Sequence, residues 1–355
     1  MTNPNSKQRP YHQPLVSICV PTYNAEETVV ATIQSILNQT YHNLELLVVD
    51  NASTDNTPGL LRQISDSRLV IHRSGRNIGA EANFSKCIGL ANGEYIAIFH
   101  ADDLYMPNMV EKQVQAFQDS PSVGAVFTLA NLINEKSKLI AEAKLPVKLR
   151  GKGIYYLPEI FISILENGNF LMSPSCMVRG KLYQELAPFD SNRFGTSADL
   201  DMWLRILEKH PVAILDEKLM SYLISNIHVS YHLNYLRTEQ ADFFKVMDYH
   251  LGVKASVLDI PRHVLNKYEF QRSMDNLRCA ENYVIKRQPQ EAKKLLKESF
   301  SATVFWGVIG NIRKPGLLAY WIFDIMLLLL VYLGLGRYLG KSLHWWLYTW
   351  KRRFV

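Results

Sequence analysis

Two adjacent carboxylates, Asp102 and Asp103, stand in "EYIAIFHADDLYMP" directly after an apolar run, Tyr95 to Phe99. A buried strand that delivers two like charges to its tip invites a cation, or a ligand that brings one. The chemistry such a pair serves is neutralisation of a diphosphate leaving group, through a divalent ion held by one or two carboxylates and the phosphates. All-oxygen ligands of this type suit Mg²⁺ or Mn²⁺, so Asp103 and Asp102 are the metal candidates. The competing role, capping the helix of "PNMVEKQVQAF", falls better to Asn108, which stands nearer to it. A further acid, Asp50, ends the run "LELLVVD". There it can accept a base imide N–H or a ribose hydroxyl, or serve as an ordinary Asx-turn residue. Asp199 and Asp201 open the pattern "ADLDMWLRILEKH". Both would favour a helix dipole, or Asp199 would reach into a crevice as general base for an incoming hydroxyl. Periodicity does not separate these roles.

The elements that must position these residues alternate. "LVSICVP" reads as a short buried strand, and in "AEETVVATIQSILNQT" Val29, Val30, Ile33, Ile36 and Leu37 recur at helical spacing. "LELLVVD" is the next strand. Thr57 then reads as a helix N-cap with Pro58 at the first helical position, opening a helix through Ile64. "LVIH", a helix around residues 81–91 and "YIAIF" continue the pattern, which predicts a mostly parallel sheet covered by helices on both faces. Ligands on such sheets bind beyond the carboxyl ends of the strands. That puts residues 21–24, 50–55 and 102–103 on one rim. Residues 131–235 are mixed, with strands at "SCMVRG", "VAILD" and "MSYLIS", and the chain is predominantly helical from about residue 240.

With 355 residues, 48% of them apolar, the chain can bury a sizeable core. The net charge of +6, without a Lys/Arg block before the C-terminus, gives no footprint for nucleic acid. The four cysteines form no CxxC, so they read as core thiols of a reducing compartment rather than a zinc site or disulfide framework. The first residues are polar and lack an apolar signal-peptide core. Near the other end, Leu317 to Leu335 is an apolar stretch of 19 residues interrupted by Asp324, followed by three Trp, two Tyr and five Lys/Arg. This predicts membrane association, either spanning or interfacial, against the alternative of a helical hairpin packed on the protein.

Taken in order, "VSICVPTYNAEETVVATIQSILNQTYHNLELLVVDNASTDNT", "NIG", "GEYIAIFHADDLYMP" and "ADLDMWLRI" resemble glycosyltransferase family 2, the inverting transferases of GT-A fold, over about residues 14–230. The resemblance implies transfer of a sugar from a nucleotide-sugar donor, most commonly a UDP-sugar, to a glycan or lipid-linked acceptor hydroxyl. It implies a GT-A Rossmann-like α/β fold and a part in surface polysaccharide or lipopolysaccharide synthesis; with the helical, apolar C-terminal extension read from composition, the expected place is the cytoplasmic face of a membrane. By position it implies that Pro21, Thr22, Tyr23, Glu26 and Asn77 line the donor and that Asp50 meets the base. Asp102 falls nearer the ribose, Asp103 nearer the metal, Asp199 on the catalytic base, and Trp203 and Arg205 complete the last motif. Two positions depart: His100 replaces the first acid of the metal motif, and Ala198 replaces the Glu that precedes the base. "SYLISNIHVSYH" resembles a family strand without its Arg, with His228 a neighbour of the metal or phosphate, or merely a surface residue. The expected organisation is a tail (1–13), a donor half (14–130), an acceptor half (131–240) and a helical C-terminal region (241–355). The two departures leave room for a catalytically weak nucleotide-sugar scaffold. A nucleotidyltransferase fits less well, because "PTYNAEE" is acidic where a Gly-rich basic loop belongs.

Overall fold

The computed structural model describes residues 13–224, 236–254, 258–299, 326 and 329–334. Strand β1 (Val16–Thr22) is followed by helix α1 (Val29–Leu37), β2 (Leu44–Asp50), α2 (Thr57–Leu61), β3 (Leu69–Arg73), α3 (Ala80–Leu90) and β4 (Tyr95–Ile98). These four strands are parallel, in the order β3-β2-β1-β4. β1 is apolar over almost its whole length because both its faces are covered. Ile18 and Val20 point to the layer of α1, where Val29, Ile33 and Ile36 are buried, and Cys19 points to the layer of α3 with Cys87. The register pairs Thr22 with Asp50, so the strand ends that carry them are level.

Beyond β4 come β5 (Leu104–Tyr105), α4 (Met109–Asp119), β6 (Ala125–Ile133), β7 (Leu139–Glu142), β8 (Ile154–Tyr155), α5 (Leu157–Asn167), β9 (Met177–Arg179), α6 (Gly180–Glu185), α7 (Ser191–Phe194), α8 (Ala198–Lys209) and β10 (Val212–Leu223). They extend the sheet to β3-β2-β1-β4-β9-β6-β10-β5. The expectation of a mostly parallel sheet therefore holds for the first four strands and for the β6–β10 pair, but not for the other pairings. β9 runs antiparallel to both β4 and β6, and β5, β7 and β8 are also antiparallel to their partners. An apolar run of two or three residues signals burial but carries no information about direction. "VAILD" and "MSYLIS" are one strand, not two: the register against β6 shifts between Leu215 and Lys218, and the polar Asp216 and Glu217 that break the apolar pattern sit at that irregularity. The helix at Thr57 is shorter than its pattern, ending at Leu61, and its N-cap is Asn56. Thr57 instead accepts the Ala25 N–H on its hydroxyl at 2.8 Å, tying the loop after β1 to the start of α2.

The chain forms two compact units, one running to Phe161 and from Asn169 to Ile224, the other comprising Ile162–Gly168 and the chain beyond Ile224. In the second unit the helices Asp242–Lys254, Arg262–Ile285 and Pro289–Ser299 are described, with Leu277, Ala280, Val284, Ala292 and Leu296 forming a small core. Among the described residues no helix is long and apolar enough to cross a membrane. Most of the apolar stretch 317–335 lies outside the described residues, and His228 lies outside them too. All four cysteines are free and buried.

Candidate active site

The ends of β1, β2 and β4 form one rim. β4 ends at Ile98, and the chain passes through Phe99 and His100 to the Asp pair before the two-residue β5. This turn is fixed from beneath. The His100 N–H donates to Tyr105 Oη at 2.8 Å, and the Tyr105 ring stacks on Phe99 with centroids 3.8 Å apart. Thr28 and Thr32 of the α1 layer donate their hydroxyls to the carbonyls of Ala101 and Asp103.

Asp103 is 1% exposed. Its Oδ1 accepts the Leu223 N–H at 2.9 Å, whereas its Oδ2 receives no hydrogen bond and lies 3.9 Å from His100 Nδ1. Burial, and then the neighbouring charge of Asp102, push the Asp103 carboxyl well above the usual carboxylate range, with the Leu223 amide opposing. One ligand atom from each of His100, Asp102 and Asp103 lies within 4.8 Å of the others, a spacing that a single cation can span.

Asp199 lies in the first turn of α8. Its Oδ1 accepts the Leu200 N–H at 2.7 Å and its Oδ2 accepts the Ser173 hydroxyl, which itself accepts the Trp203 indole N–H at 3.2 Å. Burial raises the Asp199 carboxyl, while Ser173, Leu200 and the His100 imidazole pull it back. Across the site, Tyr222 of β10 is pushed up to about 12, first by burial and then by Asp103, Asp102 and Asp199. The three acids, separated by almost a hundred residues, thus share His100 and Tyr222 as electrostatic neighbours.

Asp50, at the tip of β2 and 1% exposed, is two strands from the Asp pair in the sheet order. Its Oδ1 accepts the Ser53 N–H at 3.0 Å and its Oδ2 lies 3.1 Å from Arg73 Nε, an ion pair without hydrogen-bond alignment. Thr22 is buried with its hydroxyl on the Val20 carbonyl, Pro21 is half-buried beside it, and Tyr23 is 45% exposed above the rim. Asn77 holds the loop after β3 against Asn51 through a 2.9 Å side-chain bond.

Two of the residues expected to touch substrate also make contacts within the protein. Glu26 accepts the Asn56 N–H at 2.8 Å and so secures the start of α2. Trp203 is 3% exposed, with its ring edge-on to Phe127 and Phe189, and it meets the site only through Ser173. Arg205 turns away to pair with Asp201 at 2.8 Å and to bond the Ala187 and Pro188 carbonyls. Ser173 and Arg73 escape sequence reading, since each acts on an acid more than twenty residues away and neither stands in a recognisable motif; Tyr222 stands in the stretch that resembles a family strand, but no role is read for it there. Two cavities of about 550 and 290 Å³ lie away from this rim, the larger at the opposite end of β4 beside Gly93, Glu94 and Arg179.

The model of the family described as Glycosyl transferase family 2 matches residues 17–186. An uncharacterized glycosyltransferase of Methanocaldococcus jannaschii is 31% identical over 221 residues, covering 60% of this chain and 72% of its own. The Escherichia coli protein WfgD, named a UDP-Glc:alpha-D-GlcNAc-diphosphoundecaprenol beta-1,3-glucosyltransferase, is 36% identical over 134 residues, 37% of this chain and 53% of that protein. Among solved structures, S. aureus TarS 1-349 in complex with UDP-GlcNAc aligns over 92% of this chain and 90% of its own, with a TM-score of 0.57. Its 17% identity makes that likeness one of fold.

Proposed function

Because the chain belongs to glycosyltransferase family 2 and is a glycosyltransferase of GT-A-like mixed α/β fold, we propose that it moves a sugar from a UDP-sugar to the hydroxyl of a glycan or lipid-linked acceptor with inversion. The observation that supports this is that Asp102, Asp103 and Asp199 all push up the Tyr222 hydroxyl, and that His100, clustered with the Asp pair, also acts on Asp199. A metal-side pair and a separate carboxylate are the two parts that a one-step displacement at an anomeric carbon needs. Asp199 accepts the proton of the attacking hydroxyl. Its raised carboxyl makes it a stronger base than a solvated Asp, and Ser173 and Leu200 fix both its oxygens. No covalent intermediate is required, so one carboxylate suffices.

The residues fit a divalent ion: Asp103 brings a buried oxygen that nothing in the protein satisfies, and Asp102 stands beside it. When bound, Mn²⁺ or Mg²⁺ supplies charge neutralisation for the departing diphosphate. At the far end of the rim, Asp50 with Arg73 faces the base and Tyr23 offers its exposed ring, while Pro21, Thr22 and Asn77 shape the backbone around them. The activity for which WfgD is named supports a lipid-linked acceptor, and with it a place at the membrane surface in surface-glycan assembly.

Thermal shift against a panel of nucleotide sugars with Mn²⁺ identifies the donor, since only a bound donor raises apparent stability. Transfer is then followed with that donor for the native chain and Asp199→Asn. The variant is expected to bind donor with unchanged affinity and to lose about a thousandfold in kcat, within the range a general base supplies. Loss of donor binding in Asp199→Asn, or transfer at the native rate, removes Asp199 from the base role. Absence of transfer or slow hydrolysis from every donor that binds leaves the scaffold reading, which His100 and Ala198 favour.

A further inference from the structure

His100 occupies the position at which the family pattern has an acid, and its side chain stays in the site. Nδ1 faces the buried Asp103 Oδ2 at 3.9 Å, the backbone is pinned by Tyr105 Oη, and the ring is backed by Phe84 with centroids 6.3 Å apart. The second observation is Asp103 Oδ2 itself, an oxygen of a 1% exposed carboxylate that receives no hydrogen bond. Burying such an atom is unfavourable unless a charge or donor meets it. A cation there would find an imidazole nitrogen and two carboxylates within one coordination sphere.

Substituting nitrogen for oxygen in that sphere has a chemical consequence. Mg²⁺ holds to hard oxygen ligands and water, whereas first-row transition ions accept imidazole readily. We infer that His100 is a third protein ligand of the divalent ion and that it biases the site toward Mn²⁺ over Mg²⁺. The inference rests on the glycosyltransferase reading for the expectation of an ion, but its test does not depend on turnover. The neutral ring donates its Nδ1 lone pair, so the ligand set carries one negative charge fewer than an all-acid motif. That weakens the purely electrostatic hold on any divalent ion and leaves the nitrogen–metal bond to discriminate among them.

The experiment uses the full chain with MnCl₂ alone and with MnCl₂ plus UDP. Electron spin echo modulation is expected to show a coordinated ¹⁴N in the native protein, absent in His100→Asp and His100→Ala. Calorimetric titration with the two ions is expected to show Mn²⁺ bound more tightly than Mg²⁺. His100→Asp should shrink that preference by about tenfold, a typical scale for altering a metal's surroundings, while still binding Mg²⁺, which shows that the site remains folded. If Mn²⁺ binds and Asp103→Ala abolishes it, but no nitrogen signal appears and His100→Asp keeps the native preference, His100 is not a ligand and the transferase reading stands. A nitrogen signal that survives in His100→Ala overturns the inference as well, by placing the ion on another histidine. If neither condition loads the native protein with Mn²⁺, the inference fails together with metal dependence. Failure of the glycosyltransferase reading would appear separately, as no transfer from any donor with the ion bound.

Discussion

Replacing Asp103 by Asn separates what this carboxylate does to the fold from what it does for a ligand. Burial and the charge of Asp102 raise its folded-state carboxyl well above the unfolded value, and its Oδ2 has no donor. The stability linked to this group is therefore fully present below the unfolded value of about 3.9 and is lost as pH rises through the raised folded value. At about pH 7.5, without metal, the native state must hold an uncompensated buried charge or keep a proton that the unfolded chain would release. Asn keeps an oxygen for the Leu223 N–H, at 2.9 Å in the native protein, and discards the charge.

An unpaired buried charge costs more than an unpaired neutral polar group, itself about 1–3 kcal/mol, and the Asn amide is neutral, so Asp103→Asn should stabilise the metal-free protein by roughly 1–3 kcal/mol. With about 2–4 °C per kcal/mol for a domain of this size, the melting temperature should rise by roughly 2–12 °C. Mn²⁺ reverses the order. At about a hundred times its Kd it adds about 2.7 kcal/mol to the native protein and nothing to the variant. Scanning calorimetry in EDTA and in MnCl₂ reads both effects. Lowering the pH in EDTA toward the unfolded carboxyl value should narrow the gap, as the unfolded chain comes to hold the same proton as the native one. A variant that melts below the native protein in EDTA, or one that gains as much from Mn²⁺, would refute the argument that Asp103 is a destabilising charge awaiting a cation.

Ser173→Ala removes the hydroxyl that binds Asp199 Oδ2 and accepts the Trp203 N–H. Because that hydroxyl lowers the Asp199 carboxyl, its loss should move the acid limb of the pH–rate profile to higher pH. It should also reduce kcat by about tenfold or more, with donor KM unchanged and Ser173→Thr retaining most activity; an unmoved limb assigns Ser173 a packing role only. Asp201→Ala removes the 3% exposed charge partner of Arg205 and leaves its guanidinium only the Ala187 and Pro188 carbonyls among its described bonds. It should destabilise the protein by about 3 kcal/mol, measured by chemical denaturation, while leaving kcat at low temperature near the native value.

The parallel half of this architecture is legible because its strands are buried on both faces and its helices are strongly periodic: β1, α1 and β2 fall close to where composition puts them. The rim follows from the same logic, since a strand that ends in Asp50 or leads into Asp102 presents that acid at the sheet edge. What was not legible depends on returning strands and on distant partners. Nothing in "SCMVRG" announces that β9 enters antiparallel between β4 and β6. Nor does "LMSPSC" announce that Ser173, in the turn before β9, would meet Asp199. Trp203 and Glu26 each stand in a motif that points to substrate. A motif specifies a neighbourhood, and within it the Trp203 ring packs inward and the Glu26 carboxylate accepts the Asn56 N–H before α2.

The two departures from the family pattern bear on the same few ångströms. An acid at position 100 would add a further negative charge beside Asp103, whose carboxyl is already raised by burial and by Asp102. It would also act on Asp199 in the opposite sense to the imidazole, which lowers that carboxyl. Ala198, 3% exposed at the start of α8, likewise holds no charge next to the base. The site therefore carries fewer like charges in a buried setting, and the electrostatic work of keeping Asp199 ionised passes to His100, Ser173 and the Leu200 amide. These groups restrain a rise that burial still dominates, so Asp199 stays chargeable and keeps the basicity of a raised carboxyl. The loss of two acids thus reads as a redistribution of charge around a working base rather than its dismantling.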